Sequence, residues 1–465
     1  MPKILLRAGK SPLQPLSPEA TYAYGTNGVF GMNVGNYAFA DSTFRLLSVP
    51  GAEVVPDAFL TERLSRDRVP NIDEQIDRIN REFDAFVIPM ANAFRISFRG
   101  TLQRFTEVIK RLTIPTIVVG VGANKQLTTD PGLKADVQAF MAAVLGHSAK
   151  VGVRGDATRQ ALKEIGFGDE HVDVIGCPSV YLRGPDYQVV KKTPALTEAS
   201  KVNLTLSPYV PWLEPLLEDA LGRYPNLIYI PQRYEDLGLM LWGYQPPQWK
   251  KYNQAYPVHT AHPLYREDRM RFFCDTRTWL EFNAQRDYSV GTRIHGSVMA
   301  LVAGTPATII CHDVRTEELA EYHEIPKAGQ ADLEAGATAA SLYERADFTA
   351  FNRGLAPRFK HLTDFLELNG LAHIAQPGNE NPDYDARWAQ TPLPGPVHTL
   401  YADGQVGKDQ VVDRLRWLYE STAHKKSDQD DQYVPPLPLL PDHAGLFRRA
   451  VRRLRRELHK NSATN

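Results

Sequence analysis

The chain has 465 residues, a formal net charge of −1 and 43% hydrophobic residues. This length suffices for two or three domains, and the composition is that of an ordinary globular protein. The balanced charge argues against nucleic acid as a partner, and three scattered cysteines argue against a disulfide framework. No apolar run reaches the ~18 residues of a transmembrane helix, and residues 1–7 lack the apolar core of a signal peptide. We therefore expect a cytoplasmic protein.

The first half of the chain alternates between strands and helices. Short apolar runs predict strands at residues 84–90, 115–120, 150–153 and 171–175. Amphipathic segments predict helices at residues 102–112, 134–147 and 156–165. Such alternation is typical of a mostly parallel sheet with helices on both faces.

A second α/β series follows a polar segment with two prolines, residues 184–201, which is typical of a linker. Strands are predicted at residues 201–206, 226–230, 288–291 and 307–311, and helices at residues 211–222 and 276–285. Two such series predict a GT-B-like α/β fold, in which two doubly wound Rossmann-like domains face a cleft. The expected domains are residues 1–195 and 196–330.

Three further segments complete the predicted organisation. Residues 240–265 are rich in Trp, Tyr, Pro and Gln and form either a long surface loop, whose aromatic rings stack on a sugar, or a packed excursion. Residues 331–370 are expected to form helices that pack back on the body. Residues 371–465 are a C-terminal extension, in which 371–445 is Pro-rich and irregular with one helical patch at 409–420.

The extension ends in a basic amphipathic helix, predicted at residues 446–458. Six arginines fall between positions 446 and 456, and apolar residues recur at helical spacing among them. Such helices lie on anionic membrane surfaces, so peripheral attachment to the inner face of the plasma membrane is one expectation. Docking on the protein's own acidic surface is the alternative.

The most informative segment runs from Val290 to Pro306. A β-rich run leads into Arg293-Ile-His295, a helix of small residues follows, and Gly304-Thr-Pro306 ends that helix before the next strand. Arg293 and His295 therefore lie where a strand is followed by a helix, which is where open α/β sheets bind ligands. A permanent cation beside a titratable imidazole indicates a site that works on an anion.

This segment resembles the polysaccharide pyruvyl transferase family, which carries a Gly-x-Arg-x-His motif followed by an Ala-rich helix and Gly-x-Pro. The resemblance extends downstream through residues 312–326 and upstream through Val151–Gly166, which is similar to the family's strand-Arg-helix segment. Asn33-Val-Gly35-Asn36 is similar to the family's Asn-x-Gly-Asp turn, with Asn36 where the family usually has Asp.

The resemblance implies the GT-B-like fold and an enzyme that transfers a pyruvyl group from phosphoenolpyruvate (PEP) to two hydroxyls of a sugar. The product is a cyclic ketal, and phosphate is released. The acceptor is expected in a bacterial polysaccharide or its lipid-linked precursor, with no cofactor and no metal. The donor's carboxylate and phosphate require fixed cations, and its methylene carbon must gain a proton, which suits arginine and histidine.

Site roles follow from the matched positions. His295 is the candidate general acid/base, although a histidine at a helix start is often structural. Arg293 and Arg154 are candidates to bind the donor, and Arg154 alternatively pairs with Asp156. Arg315 is a weaker candidate for the same anion, with a solvated charge as the alternative.

The remaining candidates lie in turns and loops. Asn33, Gly35 and Asn36 are expected to form a substrate-binding turn whose backbone donors approach donor or acceptor. Gly120-Val-Gly122 lacks the third glycine of a dinucleotide site. The pair at 259 and 262, both histidines, has no visible third metal ligand.

Two other functions compete with pyruvyl transfer. A nucleotide-sugar glycosyltransferase on the same fold would use Glu317 or Glu318 to bind the ribose, but it leaves the Arg-x-His pair without a clear role. A non-catalytic family member that binds polysaccharide or scaffolds a synthesis complex is the other alternative. The sequence does not identify the oligomeric state.

Overall fold

The structure of the protein, a computed structural model, describes residues 1–26, 30–31, 33–58, 60, 72–246, 249, 251–402 and 406–423. Within these ranges the chain has an α/β fold built on two parallel sheets. No helix in these ranges is long and apolar enough to cross a bilayer. The basic helix predicted at residues 446–458 lies outside the described residues.

The first sheet is built from the N-terminal part of the chain. The strands of this part are β1 (Lys3–Arg7), β2 (Glu53–Asp57), β3 (Ala85–Pro89), β4 (Asn92–Phe94), β5 (Thr116–Val119), β6 (Gly122–Ala123), β7 (Val151–Val153) and β8 (Val172–Val174). Four of them form a parallel sheet ordered β2-β1-β3-β5. The parallel pair β7-β8 continues from β5 through a bridge between Val121 and Val153.

The second sheet has five parallel strands ordered β10-β9-β11-β12-β13. They are β9 (Val202–Leu204), β10 (Ile228–Tyr229), β11 (Tyr288–Gly291), β12 (Ala307–Ile310) and β13 (Lys327–Ala328). Strand β11 lies in the centre, paired with β9 and β12, and its carboxyl end leads directly to the Arg-x-His pair.

Helices connect the strands and extend beyond the second sheet. Those before residue 243 are α1 (Pro18–Thr26), α2 (Asn36–Leu47), α3 (Ile72–Glu82), α4 (Arg99–Ile109), α5 (Pro131–Leu145), α6 (Asp156–Glu164), α7 (Glu214–Arg223) and α8 (Tyr234–Trp242). The later ones are α9 (Pro263–Arg266), α10 (Thr276–Ala284), α11 (Ile294–Val302), α12 (Val314–His323), α13 (Gln330–Glu334), α14 (Ala339–Arg345), α15 (Thr349–Leu368), α16 (Pro382–Gln390) and α17 (Lys408–Ala423).

The predicted fold class is confirmed. Each strand and helix predicted in the two α/β series is present, with bounds shifted by a few residues. Both sheets are parallel, as the alternation of strands and helices predicted, and they contribute to one shared cavity in a GT-B-like arrangement. The helices expected at residues 331–370 are also present, as α13, α14 and α15.

The described residues of the aromatic segment at 240–265 are largely packed, which favours the packed excursion over a long surface loop. Trp249, Tyr256 and Tyr265 are buried. The Tyr256 hydroxyl donates to the Val210 carbonyl at 3.0 Å, which satisfies the polar end of a buried ring. Large aromatic side chains gain more from burial than from exposure when the hydroxyl finds a partner, which is why this segment folds inward.

The extension contains a helix that the sequence did not predict. Residues 371–445 were expected to be irregular apart from 409–420, yet α16 forms at Pro382–Gln390. The Asn381 side chain caps it by accepting from the Tyr384 N–H at 3.0 Å, with proline in the first turn. Arg45 of α2 pairs with Asp385 at 2.8 Å and fixes this helix to the body.

Helix α2 lies between the two sheets and joins their cores. Ten of its twelve residues are buried, as expected for a helix enclosed on all sides. It contacts β1 and β3 of the first sheet and α10 and α11 of the second half. One apolar core includes both Leu6 of β1 and Val290 of β11. The division into domains at residues 195 and 196 stays a prediction, because this core is continuous across both sheets.

A buried carboxylate links the two halves of the chain. Glu318 of α12 accepts hydrogen bonds from the Thr158 N–H at 3.0 Å and the Thr158 hydroxyl at 2.9 Å. Thr158 lies in the first turn of α6, where a negative charge is favourable. A Cβ on Gly155 would lie 2.8 Å from the Glu318 Cβ, so glycine at this position leaves room for the contact.

We expect Glu318→Ala to lower the free energy of unfolding by about 1–3 kcal/mol, because it leaves the buried Thr158 N–H and hydroxyl proton without their acceptor. Glu317→Ala is the matched control, since Glu317 is exposed and its ion pair among the described residues is with Lys327 at 3.5 Å. Its expected change is within about 0.5 kcal/mol. Urea unfolding followed by circular dichroism measures both, and equal values for the two variants would contradict this role of Glu318.

Candidate active site

A cavity of about 430 Å³ opens between the two sheets. Six arginines line it: Arg7, Arg95, Arg154, Arg233, Arg293 and Arg315. Two histidines and, among the described residues, a single carboxylate complete its charged lining: His295, His312 and Glu235. Such an excess of positive charge in a concave site favours an anionic ligand.

Close packing of the backbone fixes the Arg-x-His pair at the junction of β11 and α11. A Cβ on Gly291 would lie 2.4 Å from the Thr205 carbonyl oxygen, and one on Gly296 would lie 2.6 Å from the Thr205 Cβ. The Arg293 N–H donates to that same carbonyl at 3.0 Å. Glycine on both sides therefore lets the chain after β9 press against the junction, with Arg293 and His295 both facing the cavity.

His295 is a buried, neutral imidazole. It is 8% exposed, and its ring packs against Phe39 of α2 with the centroids 5.7 Å apart. Burial, followed by the positive charges of Arg154 and Arg315, lowers the pKa of His295 to about 3. Its Nε2 has no hydrogen-bond partner among the described residues. The nitrogen can therefore exchange a proton with a ligand.

Arg154 lies between β7 and α6 and is only 2% exposed. Its Nη2 lies 3.8 Å from the Cys177 sulfur, and its Nε has no partner among the described residues. The alternative partner, Asp156, pairs with Arg159 at 2.9 Å instead. A buried guanidinium that forms no ion pair among the described residues favours an anion supplied by a ligand, because a buried charge without a paired counter-charge is costly.

Arg293 and Arg315 differ in how far their charges are compensated. The Arg293 guanidinium lies 5.5 Å from the centre of the Tyr209 ring. Arg315 donates through Nε to Asp313 at 3.0 Å, so part of its charge is already offset. It is not a fully solvated charge, since it lines the cavity and contributes to the lowered pKa of His295.

The family model for polysaccharide pyruvyl transferase matches residues 33–313, more than half of the chain. The chain belongs to the polysaccharide pyruvyl transferase family. The match includes Arg154, Arg293 and His295, and Arg315 lies just beyond it. No curated protein sequence matches this chain.

Several solved structures are similar to this pyruvyl transferase family member at low identity. UDP-GlcNAc 2-epimerase from Neisseria meningitidis bound to UDP-GlcNAc is 12% identical, with a TM-score of 0.40, over 79% of this chain and 99% of that one. The S. aureus MnaA–UDP co-structure is 12% identical, with a TM-score of 0.42, over 80% and 98%. The glycosyltransferase SnogD from Streptomyces nogalater is 12% identical, with a TM-score of 0.30, over 78% and 95%.

The predicted turn at Asn33-Val-Gly35-Asn36 is present, but its backbone donors do not point to a ligand. The Gly35 N–H donates to Asn33 Oδ1 at 2.7 Å, and the Asn36 N–H donates to the Asn33 carbonyl at 3.1 Å. The N–H groups of Gly35 and Asn36 are therefore engaged within the turn, and substrate binding by this turn stays a prediction. The Asn33 and Asn36 side chains do line the cavity.

Asn36, the departure from the family's usual aspartate, has a structural role in this chain. Its Nδ2 donates to the Phe30 carbonyl at 3.0 Å. An ionised aspartate only accepts hydrogen bonds and would not make this contact. The amide therefore ties the start of α2 to the preceding segment.

Several cavity residues were missed by the sequence interpretation. Arg7 ends β1, and Arg233 and Glu235 follow β10. Arg154 was selected because it follows the carboxyl end of a strand. The same criterion, applied to every strand, would also have identified these residues. Arg95 follows the three-residue strand β4, which gives no comparable signal in the sequence.

Arg233 is held by aromatic rings and a carboxylate. Its guanidinium lies 4.4 Å from the centre of the Trp249 ring and 5.4 Å from that of Tyr252. Its Nη2 lies 2.6 Å from Asp236. These contacts make Arg233 part of the cavity wall, with its charge offset within the protein.

Three cavity arginines have no ion pair with a carboxylate among the described residues: Arg95, Arg154 and Arg293. Arg95 donates to the Asn92 carbonyl at 2.6 Å. Burial, with the charges of Arg315 and Arg7, lowers the pKa of Arg95. Arg95 is therefore partly buried among like charges, and an anionic ligand would offset this repulsion.

The two histidines of the 259–262 segment do not form a metal site. His262 Nε2 lies 2.9 Å from the Ala255 carbonyl oxygen, and Nδ1 accepts from the Leu264 N–H at 3.1 Å. Both ring nitrogens are thus engaged. In the part of the chain that the structure describes, no three His, Cys, Asp or Glu side chains are grouped as metal ligands.

Gly35 gives a direct test of how the site is built. A Cβ at this position would lie 2.9 Å from Asn33 Oδ1, Gln232 Oε1 and the His295 Cβ. We expect Gly35→Ala to displace the start of α2 from His295, to cost about 1–3 kcal/mol of stability and to lower turnover by at least about tenfold.

The matched control is Gly222→Ala, because nothing lies within 4 Å of a Cβ at that helical position. It should leave turnover unchanged and raise stability by about 0.5–1 kcal/mol. Thermal unfolding and turnover measure both variants. Wild-type turnover in Gly35→Ala would show that the close contact with His295 is not needed.

Proposed function

We propose that this protein transfers a pyruvyl group from PEP to two hydroxyls of a sugar, forming a cyclic ketal and releasing phosphate. The observation that carries the proposal is the meeting, in one cavity, of neutral His295 with three arginines that lack ion pairs among the described residues. The proposed acceptor belongs to a bacterial polysaccharide or its lipid-linked precursor. A lipid-linked acceptor fits the basic helix predicted at residues 446–458, since both would bring the enzyme to an anionic membrane surface.

The donor matches the charge of the cavity. PEP carries a carboxylate and a phosphate, and the guanidinium fork binds both groups bidentately. Arg154 follows a strand of the first half and Arg293 follows a strand of the second sheet, so a donor bound between them would be contacted from both sides. Arg95 adds a third cation without an ion pair among the described residues.

The reaction needs an acid that delivers a proton to the methylene carbon of PEP. His295 is the candidate, although a pKa of about 3 makes it neutral at pH 7. Its pKa is low because of burial and the nearby arginines, and an anionic donor bound among those arginines would favour the imidazolium. Donor binding would thus supply the protonated acid that the reaction uses.

The two glutamates that the glycosyltransferase alternative requires are not available to bind a ribose. Glu318 is buried and already bonded to Thr158, and Glu317 is exposed and pairs with Lys327. Neither carboxylate is among the residues that line the cavity, so neither is positioned to bind a ribose there. The non-catalytic alternative is separated from the proposal by the turnover measurement below.

We expect PEP alone to raise the pKa of His295 from about 3 toward the neutral range, because its negative charge offsets that of Arg154 and Arg315. Nitrogen NMR of isotope-labelled histidine, titrated with and without PEP, measures this shift. His262 is an internal comparator, since burial also lowers its pKa, no cavity arginine contributes to that shift and it is not a cavity residue. An unchanged pKa of His295 at saturating PEP would contradict donor binding beside it.

Phosphate release from PEP, measured with a panel of sugar acceptors, tests the activity itself. We expect acceptor-dependent release that His295→Ala lowers by about 10²–10⁴-fold, as for the loss of a general acid. Arg293→Ala should weaken PEP binding by about 10–100-fold, because charge-assisted hydrogen bonds to the donor are lost.

His147→Ala serves as the control, since its carbonyl accepts from the N–H of Thr116, the first residue of β5, and His147 is not a cavity residue. Circular dichroism establishes that each variant is folded. Absence of both PEP binding and phosphate release in the wild type would favour the scaffold or the nucleotide-sugar alternative.

A further inference from the structure

We infer that Gln232 and Glu235 form the acceptor subsite of the cavity, and that Glu235 removes the protons of the reacting sugar hydroxyls. This inference rests on the proposed function. It assigns the second catalytic group that ketal formation needs, and it places the sugar on the side of the cavity formed after strand β10.

The two side chains are brought together by the turn from β10 into α8. Gln232 is 2% exposed, and its Nε2 has no hydrogen-bond partner among the described residues. Glu235 lies in the first turn of α8, and its Oε2 likewise has no partner there. Both residues line the cavity. A hydroxyl group donates and accepts at once, so an amide donor and a carboxylate acceptor lining the same cavity suit it.

Glu235 is the carboxylate that remains available in this site. Asp236 is committed to Arg233 at 2.6 Å, and Asp313 is committed to Arg315. Glu235 has no such ion pair among the described residues. The other ionisable side chains of the cavity that form no ion pair among the described residues are arginines, tyrosines or an imidazole of low pKa. We therefore assign the role of proton acceptor for a hydroxyl to Glu235.

The electrostatic environment suits a base. Burial raises the pKa of Glu235, and the charge of Asp236 acts in the same direction. A hydrogen bond from its own backbone N–H and the charges of Arg233 and Arg293 oppose this shift. A carboxylate with a raised pKa holds a proton more strongly than an exposed glutamate and is a better proton acceptor. The opposing arginines keep the ionised form accessible at neutral pH.

The reaction balances with these two groups. The first acceptor oxygen bonds to C2 of PEP while His295 delivers a proton to C3, which turns the methylene into a methyl group. The bond between C2 and the phosphate oxygen then breaks, and the second acceptor oxygen bonds to C2 to close the ring. Glu235 takes up the two hydroxyl protons in turn. One replaces the proton that His295 gave, and the other leaves with phosphate.

Glu235→Gln tests the inference in the full-length protein. Its turnover should fall by about 10²-fold or more, while PEP affinity stays the same or rises, because a negative charge near the donor is removed. The pH profile gives a second readout. Wild-type turnover should fall as the pH falls through the raised pKa of Glu235, and this acid limb should be absent in Glu235→Gln.

Chemical rescue separates a base from a merely structural residue. Glu235→Ala leaves a space in which added formate acts as the carboxylate, so formate should restore part of its turnover but none in His295→Ala. Glu218→Gln, an exposed glutamate on α7, is the matched control and should behave as the wild type.

The possible failures are distinguishable. A wild type that releases phosphate, together with a Glu235→Gln variant that keeps its turnover and its acid limb, overturns this inference and leaves pyruvyl transfer standing. A Glu235→Ala variant that loses activity without any rescue by formate, and with weakened PEP binding, assigns Glu235 a structural role instead. A wild type that neither binds PEP nor releases phosphate overturns the proposed function and the inference together.

Discussion

Positive charge buried between two sheets is the constraint on which the rest of the site depends. Arg154 is almost fully buried and forms no ion pair with a carboxylate among the described residues. Such a charge is costly unless a partner offsets it, so the fold keeps its stability elsewhere, in a core that is continuous across both sheets. Burial, together with this charge, lowers the pKa of His295 and keeps its imidazole neutral. Ligand charge and histidine protonation are therefore coupled by electrostatics.

Glycine provides the close approach that brings these groups together. Gly291 and Gly296 let the chain at Thr205 press against the start of α11, and Gly35 lets the start of α2 lie against His295. Each position would place a Cβ within 2.9 Å of another atom. A site built on such contacts is rigid, since none of its neighbours can move without losing packing. This rigidity holds His295 and Arg293 in place before any ligand binds.

The cavity divides into two chemically different regions. Arg95, Arg154 and Arg293 supply positive charge suited to an anionic donor, whereas Gln232 and Glu235 supply an amide and a carboxylate suited to hydroxyl groups. Donor and acceptor of a pyruvyl transfer differ in the same way. The two regions meet at His295, the group that would add a proton to the donor once the acceptor oxygen attacks.

The sequence by itself determined the fold class, the family and the core of the site. Strand and helix periodicity is local, and the Gly-x-Arg-x-His pattern lies within one junction, so Arg293 and His295 could be identified without distant contacts. Only the tertiary structure decided which residues join them. Arg7, Arg95 and Glu235 are far apart in the chain and meet because the carboxyl ends of separate strands converge on one cavity. The neutrality of His295 and the closed turn at Gly35 also depend on neighbours that no local pattern reveals.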